Sequence, residues 1–191
     1  MIYKSYILEN NDSLIKKNNS ILFYGENLGL IEDFKKRIKK LNKNKEFINF
    51  NQDEILKNEN LLLDEIQNVS LFGKEKIFFV NHVSDKIFKI VEKILNKNID
   101  SNIFLFAGLL EKKNKIRNYF EKSKQFGIVP CYSDNEISLK KIVLSKLKDF
   151  QGLNSYNLNL ILESCNLDRM KLMNELDKIE IFFVNKTIKS K

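Results

Sequence analysis

The sequence predicts an α/β protein: a three-layer domain on a parallel sheet over residues 1–133, then a small helical domain over 134–191. Two observations carry this. Short apolar runs rich in Ile, Phe and Val alternate with amphipathic stretches of roughly 10 to 15 residues, the spacing of parallel strands joined by crossover helices. After Cys131 the apolar runs stop and only helical periodicity remains.

The elements follow in order. Ser20–Tyr24 (SILFY) is a short apolar strand that ends at Gly25. A helix is expected from about Asn27 to Leu41, because Leu30, Phe34, Ile38 and Leu41 share one helical face. Glu46–Phe50 is the second strand. Asp53–Val69 is helical with a break near Asn58, and its second part aligns Leu62, Ile66 and Val69. The strand Lys76–His82 and a helix from Ser84 to Leu95 come next. Asn102–Ala107 is a strand, Lys113–Lys124 a helix, and Gly127–Cys131 the last strand. Three helices complete the chain: Glu136–Phe150 with Gly152 as its stop, Ser155–Cys165 with Ser155 as N-cap, and a third to Phe183 capped by Asp168. The tail Asn185–Lys191 is polar and carries no packing cue, and no element is expected in the opening stretch MIYKSYILENND.

Composition narrows the function classes. A hydrophobic content of 43% over 191 residues supports a buried core. The longest apolar run, Ile103–Leu110, is too short to span a bilayer, and the N-terminus turns polar before a signal-peptide core could form. Two cysteines 34 positions apart give neither a disulfide framework nor a metal-ligand spacing. These features point to a cytoplasmic protein with no membrane partner. The net charge of +8 fits a nucleic-acid partner, but all 33 basic residues except Arg37, Arg117 and Arg169 are lysines. A solvated Lys-rich surface accounts for the charge equally well.

A sheet domain followed by a helical lid is the layout of the AAA+ ATPase module, so its chemistry can be tested. Phosphate cradling needs G-x-x-x-x-G-K-[ST] after the first strand, so that backbone amides wrap the phosphates, Lys neutralises them and the hydroxyl holds magnesium. Here the turn reads GENLGLIE from Gly25: Leu30 replaces the second Gly, Ile31 the Lys and Glu32 the hydroxyl. Glu26 and Glu32 would repel a triphosphate. The strand expected to end in Asp-Glu ends Val80-Asn81-His82 instead. No nucleotide cofactor and no catalytic or metal residue is therefore expected.

The runs ILFYGENLGLIEDFKKRIKK, QNVSLFGKEKIFFVNH, FLFAGLLEKKNKIRNYFEKSKQFGIVPCY and LDRMKLMNELDKI resemble the delta subunit of bacterial DNA polymerase III, a component of the clamp loader. The resemblance extends from about Ile21 to Phe183. It implies an AAA+-like domain without a working P-loop and a helical lid. A third, collar domain of the family has no counterpart here, because the sequence stops where the collar would begin. It also implies partners: the sliding clamp (beta subunit), the other loader subunits, and DNA in the assembled loader.

One short stretch gains meaning from the resemblance. Leu71 and Phe72 lie side by side between Ser70 and Gly73, at the end of a helical segment. Neighbouring helical residues point about 100° apart, so both cannot easily enter one core. In the family a hydrophobic pair at this position inserts into a pocket on the clamp and opens the ring. Gln67, Ser70, Leu71 and Phe72 form a Q-x-x-S-L-F pattern similar to clamp-binding peptides. Gln67 offers an amide to the pocket rim, and Gly73 permits a sharp turn afterwards. Without the resemblance, an apolar pair beside a strand reads as core.

Other residues have blander readings beside functional ones. His82 and Cys131 lie near strand ends; with no orienting third group, packing explains both better than a nucleophilic dyad. Lys112, Lys113, Lys115 and Arg117 at a helix start could meet a DNA backbone or simply be solvated. Two alternative functions stay open on sequence alone: a nucleotidase with a divergent P-loop, and a generic basic DNA-binding domain.

Overall fold

The structure, a computed structural model, describes residues 1–68, 75–97 and 102–188. Its chain divides into two units, Met1–Glu26 with Ile31–Cys131, and Asn27–Leu30 with Tyr132–Lys191.

The first unit is built on one all-parallel sheet. Its strands are β1 (Ser20–Tyr24), β2 (Glu46–Asn51), β3 (Lys76–Asn81), β4 (Asn102–Ala107) and β5 (Gly127–Pro130), in the order β2-β3-β4-β1-β5. Leu22 stands opposite Leu105 on one side and Ile128 on the other, and Val80 is opposite Leu105. Side chains alternate between the two faces of each strand, so this register sorts them into two cores. On one face Leu22, Phe78, Val80, Leu105 and Ile128 join residues from four helices. These are Ile55 of α4 (Gln52–Lys57), Leu62 of α5 (Leu61–Gln67), Val91 of α6 (Phe88–Leu95) and Phe120 of α7 (Lys115–Lys122).

The opposite face is aromatic. Phe34 of α3 (Leu28–Leu41) lies 4.9 Å, centroid to centroid, from Phe23 of β1. Phe23 stacks on Phe106 of β4 at 5.5 Å, and Phe106 meets Phe79 of β3 edge-on at 5.1 Å. Edge-to-face and offset pairs of this kind add about 0.5–1.5 kcal/mol each beyond the area they bury. Covered on both faces, the central strands read in the sequence as unbroken apolar runs.

The expected helix over Asp53–Val69 is two helices, α4 and α5, parted at Asn58–Asn60, where the Asn58 side chain accepts from the Asn60 amide. Two other helices of this unit are shorter than their periodicity suggests, as is the helix expected over Glu136–Phe150 in the second unit, which ends at Lys146. The Ser84–Leu95 segment opens with a 3-10 turn, Asp85–Ile87, before α6. The Lys113–Lys124 segment is helical only over α7, because its start is set from outside: the Asp85 carboxylate accepts from the amides of Lys115 and Ile116, both at 3.0 Å, and from the Asn114 side chain at 3.2 Å.

Partial burial pushes the Asp85 carboxyl upward, but the hydrogen bonds from Ile116, Lys115 and Asn114 outweigh it and hold the group below the usual carboxylate value. A carboxyl depressed in the folded state stabilises the fold above its unfolded value, near 3.9. That contribution disappears as the pH falls through the folded value. Asp85→Ala is therefore expected to cost about 1 kcal/mol at neutral pH, as other lost N-caps do. Urea melts should show the difference from the parent chain shrinking toward pH 3.

Two helices occupy the N-terminal stretch, where none is expected: α1 (Ser5–Asn10) and α2 (Asp12–Lys17), with Leu8 and Ile15 buried. Ahead of them Met1–Tyr3 pairs with β5: Tyr3 N–H donates to Ile128 O and Ile128 N–H to Met1 O, both at 2.9 Å. The edge of the sheet is covered along that stretch.

In the second unit α8 (Glu136–Lys146), α9 (Ser155–Cys165) and α10 (Arg169–Phe182) enclose Leu139, Val143, Leu147, Leu158, Leu162, Leu172 and Leu176. Asp168 caps α10 as expected, accepting from Lys171 N–H. The cap of α9 is Asn154 rather than Ser155. The first part of the polar tail is paired: Gln151 N–H donates to Lys186 O and Ile188 N–H to Gln151 O, each at 2.8 Å. Gly152, at φ +85°, makes room for that pairing, since a Cβ there would sit 2.1 Å from Ile188 O.

Candidate functional site

The stretch singled out by its apolar pair begins where α5 ends. Gln67 is the last residue of that helix and is exposed. Ser70, Leu71 and Phe72 lie outside the described residues. The elements on either side are tied together: Lys76 Nζ, at the first residue of β3, pairs with the Glu65 carboxylate at 3.0 Å and donates to Glu65 O at 3.3 Å. A second tie holds the residue before β3, where Glu75 pairs with Lys45 at 2.7 Å and Glu75 O accepts from Glu46 N–H. The run from Gln67 is thus anchored at both ends to the first unit.

The turn after β1 is occupied by protein. Gly25 adopts φ +145°, its amide donates to Gly108 O at 3.1 Å, and a Cβ there would lie 2.1 Å from Cys131 O. Ile31 is buried, and Glu32 is ion-paired with Lys35 at 2.6 Å. In the second unit the Leu30 amide is taken by the Asn27 side chain at 3.0 Å, and the Leu30 side chain is buried. Asn27 in turn donates to Asp134 at 2.8 Å, and the same carboxylate oxygen faces Arg169 at 3.5 Å. Both members of that ion pair are almost fully buried. Sequence reading missed this cluster, because Asn27 lies more than a hundred residues from Asp134 and Arg169 a further 35 beyond it, and none has unusual neighbours.

The basic run splits. Lys112, Lys113 and Lys115 are exposed, and Lys113 pairs with Glu111 at 2.9 Å. Arg117 is turned back on the fold: it binds Glu121 at 2.8 Å and Leu110 O at 2.7 Å, and lies over the Tyr24 ring at 4.9 Å. Cys131 is buried, as a packing residue should be. His82 is not: it is exposed, at φ +58° in the turn after β3. Among the described residues no cluster of His, Cys, Asp and Glu could hold a metal, and no helix is long and apolar enough to cross a membrane.

No family model matches the chain. A curated protein of Rickettsia prowazekii (strain Madrid E), named probable DNA polymerase III subunit delta, is 25% identical over 172 residues, which is 88% of this chain and 52% of that protein. The chain is similar to that delta subunit. The likeness extends to the fold: the Bacillus subtilis DNA clamp loader delta protein (YqeN) superposes with a TM-score of 0.66 at 11% identity, over 96% of this chain and 59% of that one. The five-stranded parallel sheet flanked by helices is therefore the clamp loader delta fold. The chain spans about half the length of the curated delta subunit it matches.

Proposed function

We propose that the chain works as a clamp-loader delta subunit, binding the sliding clamp and holding its ring open for loading onto DNA during replication. The observation that carries this reading is the Gln67-x-x-Ser70-Leu71-Phe72 run at the end of α5, in a chain similar to a delta subunit over most of its length. Leu71 and Phe72 form the wedge, and Gln67 and Ser70 the polar rim. A subunit that prefers the open ring shifts the clamp toward it by its differential affinity alone, without a chemical step. Catalysis is then left to partners in the loader and polymerase. In this reading residues 1–133 form an AAA+-like domain and 134–191 its lid, in the cytoplasm, with Lys112, Lys113 and Lys115 available to DNA in the assembled loader. Titration of the chain with its own organism's sliding clamp tests the reading, and absence of saturable binding would end it.

The same reading has the chain empty of nucleotide. Support comes from the turn after β1, where the amides of Gly25 and Leu30 already have acceptors and Ile31 is buried. Calorimetric titration with ATP and magnesium is expected to give no saturable heat. A micromolar site would instead favour a nucleotidase with a divergent loop.

A further inference from the structure

The sheet ends differently on its two sides. At β5 the backbone groups of Met1 and Tyr3 are bonded to Ile128. At the other margin β2 pairs only with β3, and its outer side has no such cover among the described residues. Glu46 N–H donates to Glu75 O, so the backbone groups of Glu46, Ile48 and Phe50 turn toward β3. Those of the alternate residues turn away. The outward amide of Asn51 is taken by the Glu54 carboxylate at 2.6 Å. The N–H and C=O of Phe47 and Asn49 remain, with no backbone partner among the described residues, and Asn49 is exposed.

Open margins are commonly guarded by a proline, a lysine on the strand or a bulge. EFINFN has none of these: its register with β3 runs unbroken from Glu46–Lys76 to Asn51–Asn81. The flanks are polarised, with Lys40, Lys43 and Lys45 leading into the strand and Asp53 and Glu54 following it. A second copy running parallel would set lysines beside lysines. Running antiparallel, it sets lysines beside carboxylates. A two-fold axis at Ile48 also brings the open groups into register. Phe47 then faces Asn49 of the other copy, Asn49 faces Phe47, and each pair exchanges both of its hydrogen bonds. Ile48 meets its own counterpart in the closer, non-bonded pair, a β-branched contact that favours the pairing. Glu46 faces Phe50 rather than another carboxylate.

We propose that β2 is a self-association surface: two copies of this chain pair their β2 strands antiparallel about Ile48, joining two five-stranded sheets into one. Because the β5 margin is already paired at Ile128, the contact closes as a dimer and does not propagate into a filament. The surface is independent of the clamp-loader reading. The test is sedimentation equilibrium of the whole chain over a range of concentrations, with no clamp or DNA present. A monomer–dimer equilibrium is expected. Asn49→Pro removes an outward amide and leaves the β3 ladder untouched, at the kind of margin position where proline is tolerated. It should raise the dimer dissociation constant by about tenfold or more, since each dimer loses two hydrogen bonds. Amide exchange on the parent chain gives a readout that needs no variant. The Phe47 and Asn49 amides should slow as concentration rises, while those of Ile48 and Phe50 exchange slowly throughout. Should the variant fail to fold, this measurement decides alone. The proposal is overturned if the chain stays monomeric up to its solubility limit, or if folded Asn49→Pro dimerises as the parent does. Exchange of Phe47 and Asn49 at one rate at every concentration overturns it too, and so does a ladder of larger oligomers in place of a dimer.

Discussion

Leu71→Ala with Phe72→Ala is expected to abolish binding to the sliding clamp while leaving the melting temperature nearly unchanged. An exposed Leu and Phe that enter a pocket on the partner contribute about 1.5–3 kcal/mol each. Each 1.4 kcal/mol is a tenfold change in affinity, so a loss of about 3–6 kcal/mol takes a micromolar contact out of range. Exposed side chains removed from the free protein cost only about 0.5 kcal/mol of stability. If the pair belongs to a core, the pattern inverts. Truncating a buried Leu and Phe costs about 2–5 and 3–5 kcal/mol, and the sheet unit would melt far earlier. The flanking elements are held independently, by Lys76 on Glu65 and Lys45 on Glu75, so the two outcomes should not blur. Early melting with undiminished clamp affinity per folded molecule would remove the wedge from the account.

The second large effect lies in the turn after β1. Gly25→Ala should destabilise the chain by about 3 kcal/mol or more, because φ +145° is a region essentially closed to residues with a Cβ. The added carbon would also meet backbone, Cys131 O at 2.1 Å, which cannot swing aside as a side chain could. Gly108→Ala is the control, since nothing lies within 4 Å of a Cβ there. It should be near neutral in a urea melt. If the two variants melt alike, the close approach of Gly25 to Cys131 is not what that glycine is for. If they differ as expected, Gly25 is retained for a backbone crossing, whatever its position suggests about phosphate.

The strands were legible because both faces of the sheet are covered. Runs such as SILFY and NIFLFA are apolar after their first residue, with no polar position at helical spacing. Helices α1 and α2 were not, because each is six residues long and buries one large anchor, Leu8 or Ile15, which is too little for a periodic stripe. The start of α7 was misplaced for a different reason: its cap, Asp85, lies thirty residues earlier. Long-range polar partners explain the site residues as well. Nothing around Arg117 in the sequence separates it from Lys112, Lys113 and Lys115, yet Glu121, Leu110 O and the Tyr24 ring fix it in place. The Leu-Phe pair stood out by its local pattern, and its meaning came from resemblance to a family.

The strand that follows this pair is not at the margin of the sheet. β3 lies between β2 and β4 and is hydrogen-bonded to both. A pull on its first residue, directed along the strand, is resisted in shear by two ladders, where a marginal strand would have one. The Lys76–Glu65 bridge passes part of the same load to α5. Whatever is mounted ahead of β3 is backed by two hydrogen-bonded neighbours rather than one. For a protein whose proposed task is to pry a closed ring apart, stiffness behind the contact matters as much as the contact itself.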